Sequence, residues 1–173
     1  MWTRLVRIFK HRWQSDAAVQ RAVPPELLQK LAAQVAHSEA GHSGEIRIYV
    51  EASLPLSYLW QSASMAHITR ERALAMFGKL RVWDTAHNNG VLIYLLLAER
   101  RIEIVADRGL NERVAPDTWP RLVQTMRAAF KAGDYDGGLM QAVQEVSSLL
   151  ERHFKLQPGQ ANPNELPDTP LLR

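Results

Sequence analysis

Apolar residues follow two different periods along this chain, and the changes of period mark its elements. Ile46, Ile48 and Val50 alternate with Arg47, Tyr49 and Glu51, which predicts a strand over 45–52, buried more on one side than the other. The run from Gly90 to Ala98 is apolar on both alternating faces, as expected of a central strand covered by protein on both sides. A further strand is predicted from Arg101 to Asp107, and Glu99-Arg100 leaves room only for a hairpin between the two.

Helical spacing governs most of the remainder. Leu27, Leu28, Leu31 and Val35 share a face behind the opening Pro24-Pro25-Glu26, and the glycines of the segment 39–44 end that helix. A short helix near 57–61 precedes a longer one over 65–80, lined by Ile68, Leu74, Phe77 and Leu80, with a break expected near Thr69. Leu122, Met126, Ala129 and Phe130 predict a helix over 117–132, and Leu139, Val143, Val146, Leu149 and Leu150 another over 135–154. Beyond Lys155, four prolines in 18 residues argue against regular structure, so 156–173 is expected to be a flexible tail. A helical crossover would make the first two strands parallel and the hairpin would turn the third back, giving one α/β domain around a partly parallel sheet.

The N-terminus has its own pattern. Trp2, Leu5, Val6, Phe9 and Trp13 recur at helical spacing, with Arg4, Arg7, Lys10, His11 and Arg12 around the rest of the circumference. Such a basic amphipathic helix, assigned to 1–22, packs on its own domain, on a second copy, or on a membrane surface. Charge sharpens the division: residues 1–21 carry five basic groups and one acidic group, +4, whereas 22–173 are near neutral at −1, out of a total of +3. The body, 23–155, lacks the basic stripe with interleaved aromatics of a nucleic-acid binder, so no nucleic-acid partner is expected. Neither an export signal nor a membrane-spanning run stands out, and a cytoplasmic location, peripheral to the inner membrane, is expected. The absence of cysteine excludes disulfides, zinc-thiolate sites and thiol nucleophiles.

Candidate chemistry follows from strand direction. The starts of the first two strands and the end of the third lie at one end of the sheet, which gathers Glu45, Asn88, Asn89, Asp107, Arg108 and Gly109, with Asp84 in reach. Hard cations such as Ca2+ or Mg2+ prefer these oxygen ligands, with Asp84 and Asp107 the carboxylates to hold them, and Arg108 suits a phosphate. A metal-assisted hydrolysis would need little more. The competing reading is ordinary turn chemistry at Asn88-Asn89-Gly90 and a surface pair of Asp107 with Arg108. Asp134 and Asp136 fail the calcium-loop spacing and read as a helix cap and a dipole partner. Ser43 lies in a near miss to a nucleophile elbow, between helix and strand in the wrong order. His37, Glu39 and His42 match no metal-ligand spacing, and no dinucleotide or phosphate-binding glycine motif is present.

Three separated segments, Trp83–Ala98 with its Asn-Asn-Gly, Arg101–Leu110 with Ala-Asp-Arg-Gly, and Phe130–Leu139 with Gly-Asp-Tyr-Asp-Gly-Gly, together with Glu45–Glu51, resemble the TPM domain family. The resemblance spans roughly 25–154. It implies a three-layer α/β/α sandwich with a mixed sheet of about four strands. Relatives are linked to acid phosphatase activity, to divalent ions, and to assembly or repair of membrane protein complexes, and the region of Asn88, Asn89 and Asp107 is where such chemistry would sit. Many relatives carry Asp-Asn-Gly where Asn88-Asn89-Gly90 stands, and many have an export signal or anchor. The lost carboxylate weakens divalent binding and phosphatase chemistry. The expected role is therefore an envelope-associated interaction or assembly module that meets a protein partner or membrane surface through its N-terminal helix. The alternative is a metal-dependent, acid-phosphatase-like phosphohydrolase.

Overall fold

A computed structural model describes residues 2–14 and 16–173, apart from the side chains at 2–5 and 16. The roles assigned above to the side chains of Trp2, Arg4 and Leu5 lie outside the described residues. In chain order come α1 (Trp2–Arg12), α2 (Asp16–Ala22), α3 (Pro25–Glu39), β1 (Ile46–Glu51), α4 (Leu56–Leu59) and α5 (Met65–Lys79). The second half holds β2 (Val91–Leu96), β3 (Arg101–Ala106), α6 (Arg108–Asn111), α7 (Thr118–Ala132), α8 (Tyr135–Phe154) and β4 (Leu171–Leu172). No helix among the described residues is long and apolar enough to cross a membrane.

The strands form one sheet in the order β3-β2-β1-β4, with β1 parallel to β2, β2 antiparallel to β3, and β4 parallel to β1. Alternation sends Ile46, Ile48, Val50, Val91, Ile93 and Ile104 to one face, where α3, α7 and α8 supply Leu31, Val35, Phe130, Val143 and Leu150. Tyr49, Leu92, Tyr94, Leu96 and Val105 point the other way, onto Leu59 of α4 and Ile68, Ala73 and Met76 of α5. The result is the three-layer α/β/α sandwich with a mixed four-stranded sheet. The β2–β3 connection is one 3-10 turn, Leu97–Glu99, closed by Arg100 at φ 48°, a left-handed residue that reverses the chain without the Asn-Gly pair common in hairpins.

Four expectations need correction. Every residue of β1 is buried, its polar face included, because α5 and the C-terminal segment cover Arg47, Tyr49 and Glu51. α5 runs unbroken through Thr69, whose hydroxyl donates back to the Met65 carbonyl at 2.7 Å. Its inner face is Ile68, Thr69, Arg72, Ala73 and Met76, while Leu74 is 49% exposed. The segment 156–173 is not a loose tail: Leu166 is buried, and Leu171–Leu172 pair with Tyr49 and Val50. Ala52 N–H donates to Arg173 O at 2.7 Å and Arg173 N–H to Val50 O at 2.9 Å. Proline forbids helix and central strand but tolerates an edge segment, which needs ladder bonds on one side only.

Candidate functional site

The pairing sets Ile46, Val91 and Ala106 side by side, so the starts of β1 and β2 and the end of β3 do share one end of the sheet. The polar residues predicted there have distinct partners. Asn89 is fully buried; its side-chain amide donates to the carbonyl and hydroxyl oxygens of Ser43 at 3.0 and 3.2 Å, and its Oδ1 accepts from the Thr85 hydroxyl at 3.3 Å. It thereby staples the loop before β2 to the segment before β1. Asn88 takes φ 52°, a conformation asparagine tolerates, and its Oδ1 accepts from Arg108 Nη2 at 3.0 Å. Asp107 Oδ1 accepts from the Arg108 N–H at 2.7 Å and caps α6, while Oδ2 is buried without a hydrogen-bond partner.

Close approach explains the neighbouring glycines: a Cβ on Gly90 would sit 1.9 Å from the Val82 carbonyl oxygen, and one on Gly109 2.6 Å from the oxygens of His87 and Asn88. Asp84 does not join the group. It is exposed and paired with Arg81 at 2.6 Å.

Glu45 turns to the C-terminal segment. Its Oε2 accepts from the Leu166 N–H at 3.0 Å, and its Oε1 is buried without a partner. Beside it Glu39, 7% exposed, accepts from the Ile46 N–H at 2.9 Å. Burial pushes the Glu39 carboxyl up from 4.5 to about 8, helped by the charges of Glu45 and Asp168 and by a hydrogen bond with Asp168. Glu45 is raised for the same first reason, burial, with Glu165 and Asp168 adding repulsion. Arg47, lowered by burial although the Asp168 charge opposes this, donates to the carbonyls of Pro167 and Thr169.

Ca2+ and Mg2+ require several hard oxygens that converge and are ionised. Among the described residues no three His, Asp or Glu side chains are placed to hold a metal ion. Of the two carboxylates expected to hold a cation, Asp84 is paired with Arg81 and Asp107 gives one oxygen to the cap of α6. Asp134 caps α8 by accepting from the Gly137 N–H at 2.9 Å.

Two arrangements escaped the sequence. At the far end of β1, Glu51 accepts from Arg72 Nε and Nη2 at 2.9 and 2.6 Å and from the Tyr94 hydroxyl at 2.7 Å, all three side chains being buried. Burial alone would lower Arg72, but the bonds and charge of Glu51 hold it above its ordinary value; burial, with the Glu51 charge, raises the Tyr94 phenol. An arginine at helical spacing between Ile68 and Met76 was the available signal. The second arrangement is α1, which turns Arg7, Lys10 and His11 to the domain together with Ile8. Arg7 donates to the carbonyls of Gln61 and Ala63, and Lys10 pairs with Glu99 at 2.9 Å. The Leu54 N–H donates to His11 Nδ1 at 3.1 Å, which places the ring hydrogen on Nε2, facing Glu99 at 3.1 Å. Val6, Phe9 and Trp13 turn outward, 54%, 65% and 84% exposed, and α1 packs on α4, where Leu56 and Trp60 are exposed as well.

A comparison with curated proteins finds no match. Among solved structures, the NMR structure of the BA42 protein from the psychrophilic bacterium Bizionia argentinensis is similar, with a TM-score of 0.70 at 24% identity over 87% of this chain and 95% of that one. The N-terminal domain of a P. gingivalis protein is also similar, with a TM-score of 0.54 at 20% identity over 77% and 81%. At these identities the likeness is one of fold. The family model for the TPM domain matches residues 21–149, from the end of α2 into the last third of α8, and this chain belongs to the TPM domain family.

Proposed function

We propose that this TPM domain is an interaction module that seats on the interfacial zone of an anionic bilayer through the outer face of α1. The supporting observation is the orientation of that helix. Arg7, Lys10 and His11 are engaged by the domain, and Phe9 and Trp13 are left outside. A helix retained only by burial of its apolar stripe would do the reverse. Tryptophan and phenylalanine beside an exposed Arg12 are the side chains that favour the headgroup boundary, and Leu56 and Trp60 extend the apolar face.

Flotation with phosphatidylglycerol-containing vesicles tests this. The intact chain is expected to float and the doubly exposed Phe9→Glu/Trp13→Glu variant to remain in the dense fraction. A wild-type chain that stays down, or a variant that floats equally, defeats the proposal and leaves a protein partner for that face. One feature favours the hydrolase alternative: the unpartnered Asp107 Oδ2 beside the exposed Arg108. Turnover of p-nitrophenyl phosphate that disappears in Asp107→Ala would replace the module reading.

A further inference from the structure

β3 is the outer strand of the sheet, and its ladder has a definite phase. Asp107 N–H donates to Gly90 O at 2.9 Å, so alternation along the antiparallel pair directs Val105, Glu103 and Arg101 toward β2. The backbone groups of Ile102, Ile104 and Ala106 therefore face away from the sheet. Two of their carbonyls are occupied: Ile104 O by Arg70 Nη1 and Ala106 O by the Asn111 amide, each at 2.6 Å. The N–H and C=O of Ile102 and the N–H of Ile104 are taken by no side chain among the described residues, and the two residues, 3% and 1% exposed, form the floor of a cleft of about 550 Å3 between β3 and α7.

The cleft carries two further marks of a peptide groove. Its α7 wall presents Trp119, Pro120 and Val123, with the indole fixed by a 2.7 Å bond from Nε1 to Asn111 Oδ1. Its rim is cationic: Arg70, Arg100, Arg101, Arg127 and Lys131 line it against the carboxylates of Glu99 and Glu103. Glu99 is answered from outside by Lys10 and His11, and Glu103 lies 3.7 Å from Arg70. Arg127 and Lys131 are exposed and have no salt-bridge partner among the described residues.

We propose that this cleft takes an extended acidic peptide segment of a partner protein, added beside β3 as a fifth strand. The unoccupied N–H and C=O of Ile102 and the N–H of Ile104 hold the backbone, the apolar stretch of α7 receives the side chains that face it, and the cations around the rim attract the acidic ones. A polyphosphate or nucleic acid would satisfy the charge but leave the alternating donor and acceptor groups unmatched. This surface is separate from the outer face of α1, so either can fail alone.

The test uses a short fluorescein-labelled peptide of alternating valine and glutamate, read by fluorescence anisotropy on the full chain. Saturable binding is expected, weakened at least about tenfold in Arg127→Glu/Lys131→Glu, since two attractive contacts become repulsive. Two N-methylated peptides supply the geometric control without altering the protein. Methylation of one alternating set of amides removes a strand's pairing edge and must abolish binding; methylation of the other set, which points away, must leave it. No saturable binding, equal binding of both methylated peptides, equal binding of a valine–lysine peptide, or an unchanged affinity in the charge-reversed variant each overturns the proposal.

Discussion

The sheet ends differently on its two sides. Beyond β1 the chain returns to close its own ladder: Leu171–Leu172 pair with Tyr49 and Val50, Leu166 is buried, and Arg47 takes the carbonyls of Pro167 and Thr169. Beyond β3 no strand follows among the described residues; Arg70 and Asn111 cover single carbonyls, and cations surround what is left. An uncovered edge is a template for unwanted pairing unless charge or local caps discourage it. The closed side thus gains order from long-range bonds and buries carboxylates in doing so. The open side keeps its charges hydrated and its ladder selective for a partner of opposite sign.

Removing residues 162–173 should break the contrast most severely. The deletion strips the β1 edge of its partner, exposes the Leu166 site, and leaves Arg47 and Glu45 without their backbone partners. Buried charges left without partners cost about 3–5 kcal/mol, and the lost ladder bonds about 1 kcal/mol each. The urea midpoint should collapse and size-exclusion chromatography should show self-association through β1. A shortened chain that unfolds at the wild-type midpoint as a monomer would mean that the segment is an ornament.

The next largest effect is a pH dependence confined to the closed side. Glu39 has a folded-state value of about 8 against an ordinary 4.5, so the folded protein holds the proton more tightly than the unfolded chain. The resulting stabilisation is complete below about 4.5 and is lost as pH rises toward about 8, with Glu45 displaced in the same sense. Over that window the contribution is on the order of a few kcal/mol. Urea midpoints at pH 5, 6.5 and 8 should therefore fall, and Glu39→Gln, which keeps the hydrogen-bonding amide neutral throughout, should flatten the trend. A midpoint that rises with pH reverses the assignment.

How far these features could be read from sequence depends on the range of the interactions that fix them. The period-two pattern of Ile46, Ile48 and Val50 marked a strand although both its faces are buried, and the doubly apolar Val91–Leu96 marked a strand covered on both sides, so the strands and their directions were legible, while the three layers came with the family resemblance. β4 was not, because two leucines between proline and the chain end carry no local strand signal; their place is set by Val50 and Ala52 far back in the chain. At the sheet end, topology predicted which residues meet but not their employment. Whether Asn89 binds an ion or Ser43, or whether Glu39 keeps a proton, depends on donors and carboxylates brought from remote segments. The helix α1 shows the same limit: its pattern defines two faces, while Glu99 and the Leu54 N–H decide which one docks.

His11→Ala connects α1 to the open edge and should have an intermediate effect. The Leu54 N–H loses its buried acceptor and Glu99 one of its two hydrogen-bond donors, a loss of about 1–3 kcal/mol. Burial disfavours the charged Glu99, yet bonds from His11 and Lys10 hold its carboxyl below the ordinary value. With His11 gone, the Glu99 carboxylate is less well answered at the mouth of the cleft, so the valine–glutamate peptide should bind less tightly than to wild type. Unchanged affinity together with the expected loss of stability would separate α1 from the β3 edge.

The smallest effect should come from Arg127→Glu/Lys131→Glu. Both side chains are exposed and unpaired among the described residues, and exposed substitutions away from special features stay within about 0.5 kcal/mol. Lys131 lies in the last turn of α7, where a cation suits the helix dipole, so its reversal adds a cost of about 0.3–1 kcal/mol. Thermal unfolding should therefore shift by only a few degrees, against the collapse expected when the other edge loses residues 162–173. The near-neutral stability separates a surface kept for binding from one needed for folding: if reversing these two charges destabilised the domain as much as the deletion does, the β3 side would be part of the fold's own support.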